Sequence, residues 1–107
     1  MKKRRKYRNR SELARRRKLP SLVERHGSKC YWCGEDIKMR RSIPNETIVG
    51  EKHGIVNYWD NGVVRTIRLA SVDHLKPLSK GGDNRIENLV ASCWDCNNNR
   101  SNAALSN

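Results

Sequence analysis

The sequence predicts a small α+β domain with a basic N-terminal arm, and three observations lead there. Short stretches with helical signals flank a central region rich in β-branched and aromatic residues. Positive charge is concentrated at one end of the chain. Four cysteines occur as two matched Cys-x2-Cys pairs, one on each side of the β-rich region.

The chain has 107 residues, which suggests one domain of modest size. A chain this short buries only roughly 60–65% of its unfolded surface. Only 36% of its residues are hydrophobic, and there is no Phe. Chains with so lean a core usually depend on a staple: disulfides, a metal or a partner.

Residues 1–19 form the arm, and residues 20–107 form the domain. Residues 2–18 hold 11 basic residues and one acid, Glu12, whereas the rest of the chain holds 12 basic and 10 acidic residues. The arm is expected to be disordered, or to become helical on an anionic partner. Lys2, Lys3, Arg4, Arg5, Arg15, Arg16 and Arg17 are its candidate nucleic-acid contacts, because a basic tail on a near-neutral domain suits a polyanion. Pro20 suits the first turn of a helix. Leu22 and Val23 give that helix an apolar face, and Gly27 is a natural C-terminal stop, so a helix is expected over 20–26.

Cys30-Tyr31-Trp32-Cys33-Gly34 reads as a metal knuckle, with Gly34 free to take the tight turn and the aromatics available to shield the sulfurs. Residues 39–72 read as β, through Thr47–Val49, Ile55–Trp59 and Val63–Leu69. Asp60-Asn61-Gly62 signals a hairpin between the last two, because Asn-Gly tolerates positive φ. In Val63–Leu69 the odd positions 63, 67 and 69 are apolar, but Val64 and Arg65 break the alternation and leave the buried face open. A strand is then expected to end at Val72-Asp73-His74. Pro77, Gly81, Gly82 and Asp83 mark a loop, Leu89–Ala91 a short strand, and Asn97 onward a terminal helix.

No stretch approaches the roughly 20 apolar residues of a membrane span, so no membrane partner is expected. The start MKKRRKYRNRSELARRRKLP has charge but no apolar stretch behind it, so a secretory signal is not expected. The expected compartment is therefore a reducing cytosol or nucleus, where four cysteines point to metal rather than to disulfides. Cys30, Cys33, Cys93 and Cys96 fit one tetrahedral Zn²⁺, since a two-residue spacer lets both thiolates of a pair reach the ion at about 2.3 Å. A four-cysteine site has no open position, so this zinc is structural. The alternatives are two disulfides or redox Cys-x2-Cys motifs.

A second constellation is polar. Asp73 and His74 sit at a strand end, Asn88 follows a glycine-bearing loop, and Asn97 comes directly after the last cysteine. Each has an ordinary reading: a structural His, a loop Asn, a helix-capping Asn97. Taken as a set, they place a carboxylate, an imidazole and an amide oxygen on a frame fixed by zinc. That arrangement suits a hard cation with a base beside it.

These residues resemble the HNH endonuclease motif. The match lies in Ser71-Val72-Asp73-His74-Leu75-Lys76-Pro77-Leu78-Ser79-Lys80-Gly81-Gly82-Asp83, Asn88-Leu89-Val90 and Cys93-Trp94-Asp95-Cys96-Asn97, with Cys30–Gly34 as the first knuckle of the cysteine-bearing subgroup. It covers about residues 20–102, with 39–70 outside the motif proper. The resemblance implies a ββα-metal (His-Me finger) fold and metal-dependent cleavage of duplex DNA. It implies that His74 is the general base, that Asp73 ligates a catalytic Mg²⁺ or Mn²⁺, and that Asn88 orients the His74 ring and holds the loop. Asn97 falls where the motif's final His usually sits, which makes this an H-N-N variant with Asn97 as second ligand. Arg100, one turn further on, reads equally as a phosphate contact or a solvated helix residue.

Small HNH proteins of this kind are common in phage genomes near packaging genes. The resemblance therefore implies phage origin, the cytoplasm of a bacterial or phage-infected cell, and either a second copy or the packaging machinery as partner. The competing reading is a zinc-stapled nucleic-acid-binding module without catalysis, which has no need of Asp73, His74, Asn88 or Asn97. A secreted, disulfide-bonded cationic peptide is set aside for want of a signal.

Overall fold

The computed structural model describes the backbone of residues 10–106 and the side chains of residues 13–100. Helix α1 spans Arg10–Arg25, and strands β1 to β5 span Ile37–Lys38, Ile48–Lys52, Ile55–Asp60, Val63–His74 and Leu89–Cys93. Helix α2 spans Trp94–Ser106. The domain is the small α+β fold expected from the sequence.

Helix α1 begins ten residues before the helix expected at 20–26, and Pro20 lies inside it rather than in its first turn. A proline disfavours helix at the residue before it, which is why the sequence suggests a boundary at 19/20. Packing overrides that preference. Leu19 and Leu22 are fully buried in one cluster with Cys30, Ile37, Leu89 and Ala91, so the helix runs unbroken from the basic segment into the core. Gly27 ends it as expected. At φ +65° it lets Ser28 N–H reach Val23 O (2.8 Å) and Gly27 N–H reach Glu24 O (3.1 Å), which satisfies the last carbonyls.

Strand β4 is the spine of the sheet. Its first half pairs antiparallel with β3, from Asp60↔Val63 to Ile55↔Arg68, and β3 pairs with β2. Its second half pairs antiparallel with β5, from Ala70↔Cys93 to His74↔Leu89. β1 lies parallel to it at Arg68 and Leu69. The expected turn is present, with Asn61 at φ 52° and Gly62 at φ 80° joining β3 to β4. A second turn of the same kind, unforeseen from the sequence, joins β2 to β3 through His53 (φ 53°) and Gly54 (φ 75°). β2 also lies further along than Thr47–Val49, and its register shifts between Ile48 and Gly50.

The face left open along Val63–Leu69 is settled by a small second core. Ile67 and Leu69 pack on Ile43, Val56 and Tyr58, whereas Val63 and Val64 remain exposed. α2 starts directly after β5, three residues before the expected start at Asn97. Cys96 and Asn97 therefore belong to its first turn. No described helix is long and apolar enough to cross a membrane.

Candidate active site and metal centre

The four cysteines meet where the knuckle, the end of β5 and the start of α2 converge. Their sulfurs all lie within 4.8 Å of one another, and the Cys33 and Cys93 sulfurs are 3.9 Å apart. Thiolates bound tetrahedrally at 2.3 Å lie about 3.8 Å apart, so the cluster has the dimensions to hold a metal ion. None of the four forms a disulfide.

Backbone donors prepare the sulfurs for charge. Cys93 N–H points to Cys30 Sγ (3.3 Å) and Cys96 N–H to Cys93 Sγ (3.5 Å). Burial pushes the Cys30 thiol up, but the backbone N–H groups of Cys33, Cys93 and Trp32 outweigh it and bring it down to about 7. Burial pushes Cys33 and Cys96 the other way. Arg68 adds a cation, with Nη1 3.7 Å from Cys93 Sγ and 3.0 Å from Asp95 Oδ2. The sequence marked Arg68 only as a polar strand position.

The polar constellation converges at the end of β4. Asp73 is buried, 8% exposed, and three donors hold its carboxylate. Trp32 Nε1–H (2.9 Å) and Arg100 Nε–H (3.0 Å) donate to Oδ2, and His74 N–H (2.8 Å) donates to Oδ1. Trp32 also packs against the core cluster that includes Cys30 and Cys93. Its ring lies under the Arg100 guanidinium, whose Cζ is 3.7 Å from the ring centroid. Arg100 also donates from Nη2 to His74 O (3.0 Å). Arg100 is thus held by partners of its own and fastens α2 to β4. The early start of α2 turns Arg100 and Asn97, three residues apart, to the same strand.

Asn97 donates from Nδ2 to Ser71 Oγ (3.1 Å) and Val72 O (3.0 Å), so it does not cap the helix. No donor among the described residues reaches its Oδ1. Asn98 and Asn99 are exposed within the helix rather than at its start.

Asn88 holds the loop and does not touch the His74 ring. Its Oδ1 accepts from Lys76 N–H (2.8 Å), and its Nδ2 donates to Lys76 O (3.0 Å) and Asp83 O (2.8 Å). The ring is held instead by Asn84, whose Oδ1 lies 2.8 Å from His74 Nε2. Lys18 of α1 donates to the Asn84 carbonyl (2.7 Å). Asn84 was not singled out in the sequence; it directly follows the loop residues Gly81, Gly82 and Asp83. Both glycines are needed: Gly81 sits at φ 89°, and a Cβ on Gly82 would come within 1.9 Å of Lys76 O.

The oxygens can serve a hard cation. Asp73 Oδ1 accepts one hydrogen bond and keeps a lone pair, and Asn97 Oδ1 is unused. The guanidinium at Asp73 Oδ2 offsets part of the carboxylate charge.

Of the basic candidates, Lys2, Lys3, Arg4 and Arg5 lie outside the described residues. Arg15 is half-buried, and Arg16 and Arg17 are exposed on α1. Arg16 and Arg17 line a cleft with Arg40 and Arg41, where Glu51 pairs with Arg40 at 3.2 Å. The sequence reading passed over Arg40 and Arg41.

Residues 59–103 match the family model described as HNH endonuclease. No curated protein and no solved structure matches the chain. The matched segment runs from the end of β3 into α2. It carries Asp73, His74, Asn84, Asn88, Cys93, Cys96, Asn97 and Arg100 and leaves α1 and the first knuckle outside. The similarity to the HNH endonuclease model thus covers 45 of the 107 residues, those that carry the polar constellation and the second cysteine pair.

Proposed function

We propose that the protein is an endonuclease that hydrolyses phosphodiester bonds of duplex DNA with the help of one divalent cation, Mg²⁺ or Mn²⁺. The observation that carries this reading is the convergence of Asp73, His74 and Asn97 where β4 meets α2. The cysteine cluster beside it fits a structural Zn²⁺ that braces the same junction.

Asp73 and Asn97 would hold the cation through their Oδ1 atoms. When bound, it neutralises charge on the scissile phosphate and on the departing 3′ oxygen. His74 does the proton work. Its neutral imidazole takes a proton from a water molecule as that water attacks phosphorus. The new oxygen–phosphorus bond forms as the bond from phosphorus to the 3′ oxygen breaks. Trp32 and Arg100 hold the Asp73 carboxylate in one orientation, so it need not reorganise when a cation arrives. Arg15, Arg16 and Arg17, with the arm before them, bring in the phosphate backbone.

One chain supplies one such site, so cutting both strands requires a second copy or a second encounter. A homodimer, or a protein of a phage packaging machine, is the partner this implies. We place the reaction in the cytoplasm of a bacterial or phage-infected cell, with residues 1–19 as arm and 20–107 as catalytic domain. The Arg100–Asp73 ion pair supports a second reading, in which the polar cluster only fastens α2 to β4 and the protein is a zinc-stapled nucleic-acid-binding module.

Incubation of the purified protein with supercoiled plasmid, with and without Mg²⁺, Mn²⁺ or Ni²⁺, separates the two. Metal-dependent nicked or linear product supports the nuclease. Retarded but uncut plasmid with every ion supports the binding module.

A further inference from the structure

We propose that the arginine-lined cleft between α1 and the turn Arg40–Ser42 docks the phosphate backbone of one nucleic-acid strand, and that Glu51 restrains this docking. The inference rests on nucleic acid as the partner, and it holds whether that partner is cut or only bound. Arg16 and Arg17 line one side of the cleft, and Arg40 and Arg41 the other, around a volume of about 920 Å³. Glu51 is the only acid among the described residues that line it, and its Oε2 lies 3.2 Å from Arg40 Nη2.

Both sides hold their charges in place. Arg16 and Arg17 lie just before Leu19 and Leu22, which are buried in the main core. Arg40 and Arg41 sit in a short 3₁₀ turn, closed by Ser42 N–H to Met39 O (2.9 Å) and Ile43 N–H to Arg40 O (3.2 Å). The turn is anchored at both ends, because Met39 packs on the main core and Ile43 is buried in the second one. Guanidinium groups fixed across a cleft repel one another. An anion between them turns that repulsion into attraction, and the guanidinium fork matches phosphate oxygens. Glu51 lies opposite Val56 in the β2–β3 ladder, on the sheet face that carries the second core. It is therefore placed to compete with phosphate for Arg40.

The surroundings favour a nucleic-acid strand over an acidic protein segment. Arg16 and Arg17 close a run of basic residues that begins at Lys2, so the cleft continues a longer charged path that suits a regular polyanion. No aromatic side chain is among the described lining residues, so the cleft offers bases no stacking platform and meets the backbone instead. The next residue of α1, Lys18, donates to Asn84 O (2.7 Å) in the loop after β4. Helix α1 thus links the cleft to the loop that follows Asp73 and His74.

The test uses the full, zinc-loaded chain and a fluorescein-labelled duplex, read by anisotropy across a salt titration with no Mg²⁺ added. Arg40, Arg41 and Glu51 are exposed, so their variants should keep the wild-type fold and zinc content. The double variant Arg40→Gln, Arg41→Gln should weaken binding by up to about 60-fold at about 0.1 M salt, because each lost phosphate contact removes about 0.9 from the log–log slope. Glu51→Gln should tighten binding by about 2–8-fold, since it releases Arg40. Added to the double variant, the same change should alter Kd by less than about twofold. Asp60→Asn in the wild type should also alter it by less than about twofold, since it removes one negative charge outside the cleft.

Equal tightening by Glu51→Gln and Asp60→Asn overturns the proposal, because binding then follows net charge alone. So does wild-type affinity in the double variant, or a Glu51→Gln effect that persists there. A glutamate-rich peptide that binds the wild type but not the double variant, while duplex binding is the same in both, assigns the cleft to an acidic protein segment instead. A wild type that binds duplex through the cleft and cuts no plasmid refutes the nuclease reading alone, because this test reads binding.

Discussion

Replacing Asn97 by Ala separates two things this side chain does. Its Nδ2 makes two hydrogen bonds, to Ser71 Oγ and to Val72 O, that tie α2 to β4. Each is worth about 0.5–1.5 kcal/mol net, so the variant should lose about 1–3 kcal/mol of stability. For a domain of this size that lowers the melting temperature by about 5–20 °C. Its Oδ1 has a separate role in the proposed mechanism, as one of the two protein oxygens that would hold the cation. If that contact is worth the roughly 1.5–3 kcal/mol of a hydrogen bond to a charged group, its loss moves the Mg²⁺ midpoint of cleavage upward by about 10–150-fold. High Mg²⁺ should then restore part of the rate. The assay is plasmid nicking across a Mg²⁺ titration, run well below the variant's melting temperature, with Asn98→Ala and Asn99→Ala as controls. Both controls are exposed and should behave as wild type. Asn97→His should keep activity and shift preference toward Mn²⁺ or Ni²⁺, since imidazole suits those ions better. A lowered melting temperature with an unmoved Mg²⁺ midpoint would refute the ligand role and leave Asn97 as a fastener between helix and strand.

Purified protein should contain about one zinc per chain, and chelation should unfold it, because its two cores are small; a metal-free protein with an unchanged thermal melt would count against the staple. His74→Ala should lower the cleavage rate by about 10²–10⁴-fold while zinc content and fold stay as in the wild type, and near-normal cleavage by this variant would remove His74 from the mechanism. The double variant Arg17→Gln, Arg41→Gln, on the two sides of the basic cleft, should make the log–log salt dependence of DNA binding shallower by up to about two, and an unchanged slope would place the DNA elsewhere.

Features governed by a few neighbouring residues were legible in the sequence. Gly27 ends α1 and Asn61-Gly62 turns β3 into β4, because both depend on local φ that glycine and asparagine tolerate. The two Cys-x2-Cys pairs announced a shared metal site, because their spacing alone brings each pair to one ion. Asp73-His74 at a strand end was legible too, from the local run of β-branched residues before it. The extent of α1 was not. Pro20 is a local signal for a helix start, and the burial of Leu19 and Leu22 overrules it through contacts far away in the chain.

The sequence by itself determined the fold class, the grouping of the four cysteines, and the place of the acid and the imidazole at a strand end. Only the tertiary structure decided how those groups are held. Trp32 reaches Asp73 across 41 residues, Arg68 reaches Cys93 across 25, Arg100 reaches Asp73 across 27 and Lys18 reaches Asn84 across 66. Two asparagines four residues apart look alike in the sequence. The loop gives one of them to the His74 ring and the other to its own backbone. The physical reason is range: φ preferences and ligand spacing act over a few residues, whereas a hydrogen-bond partner is chosen by which strands and helices the buried core brings together.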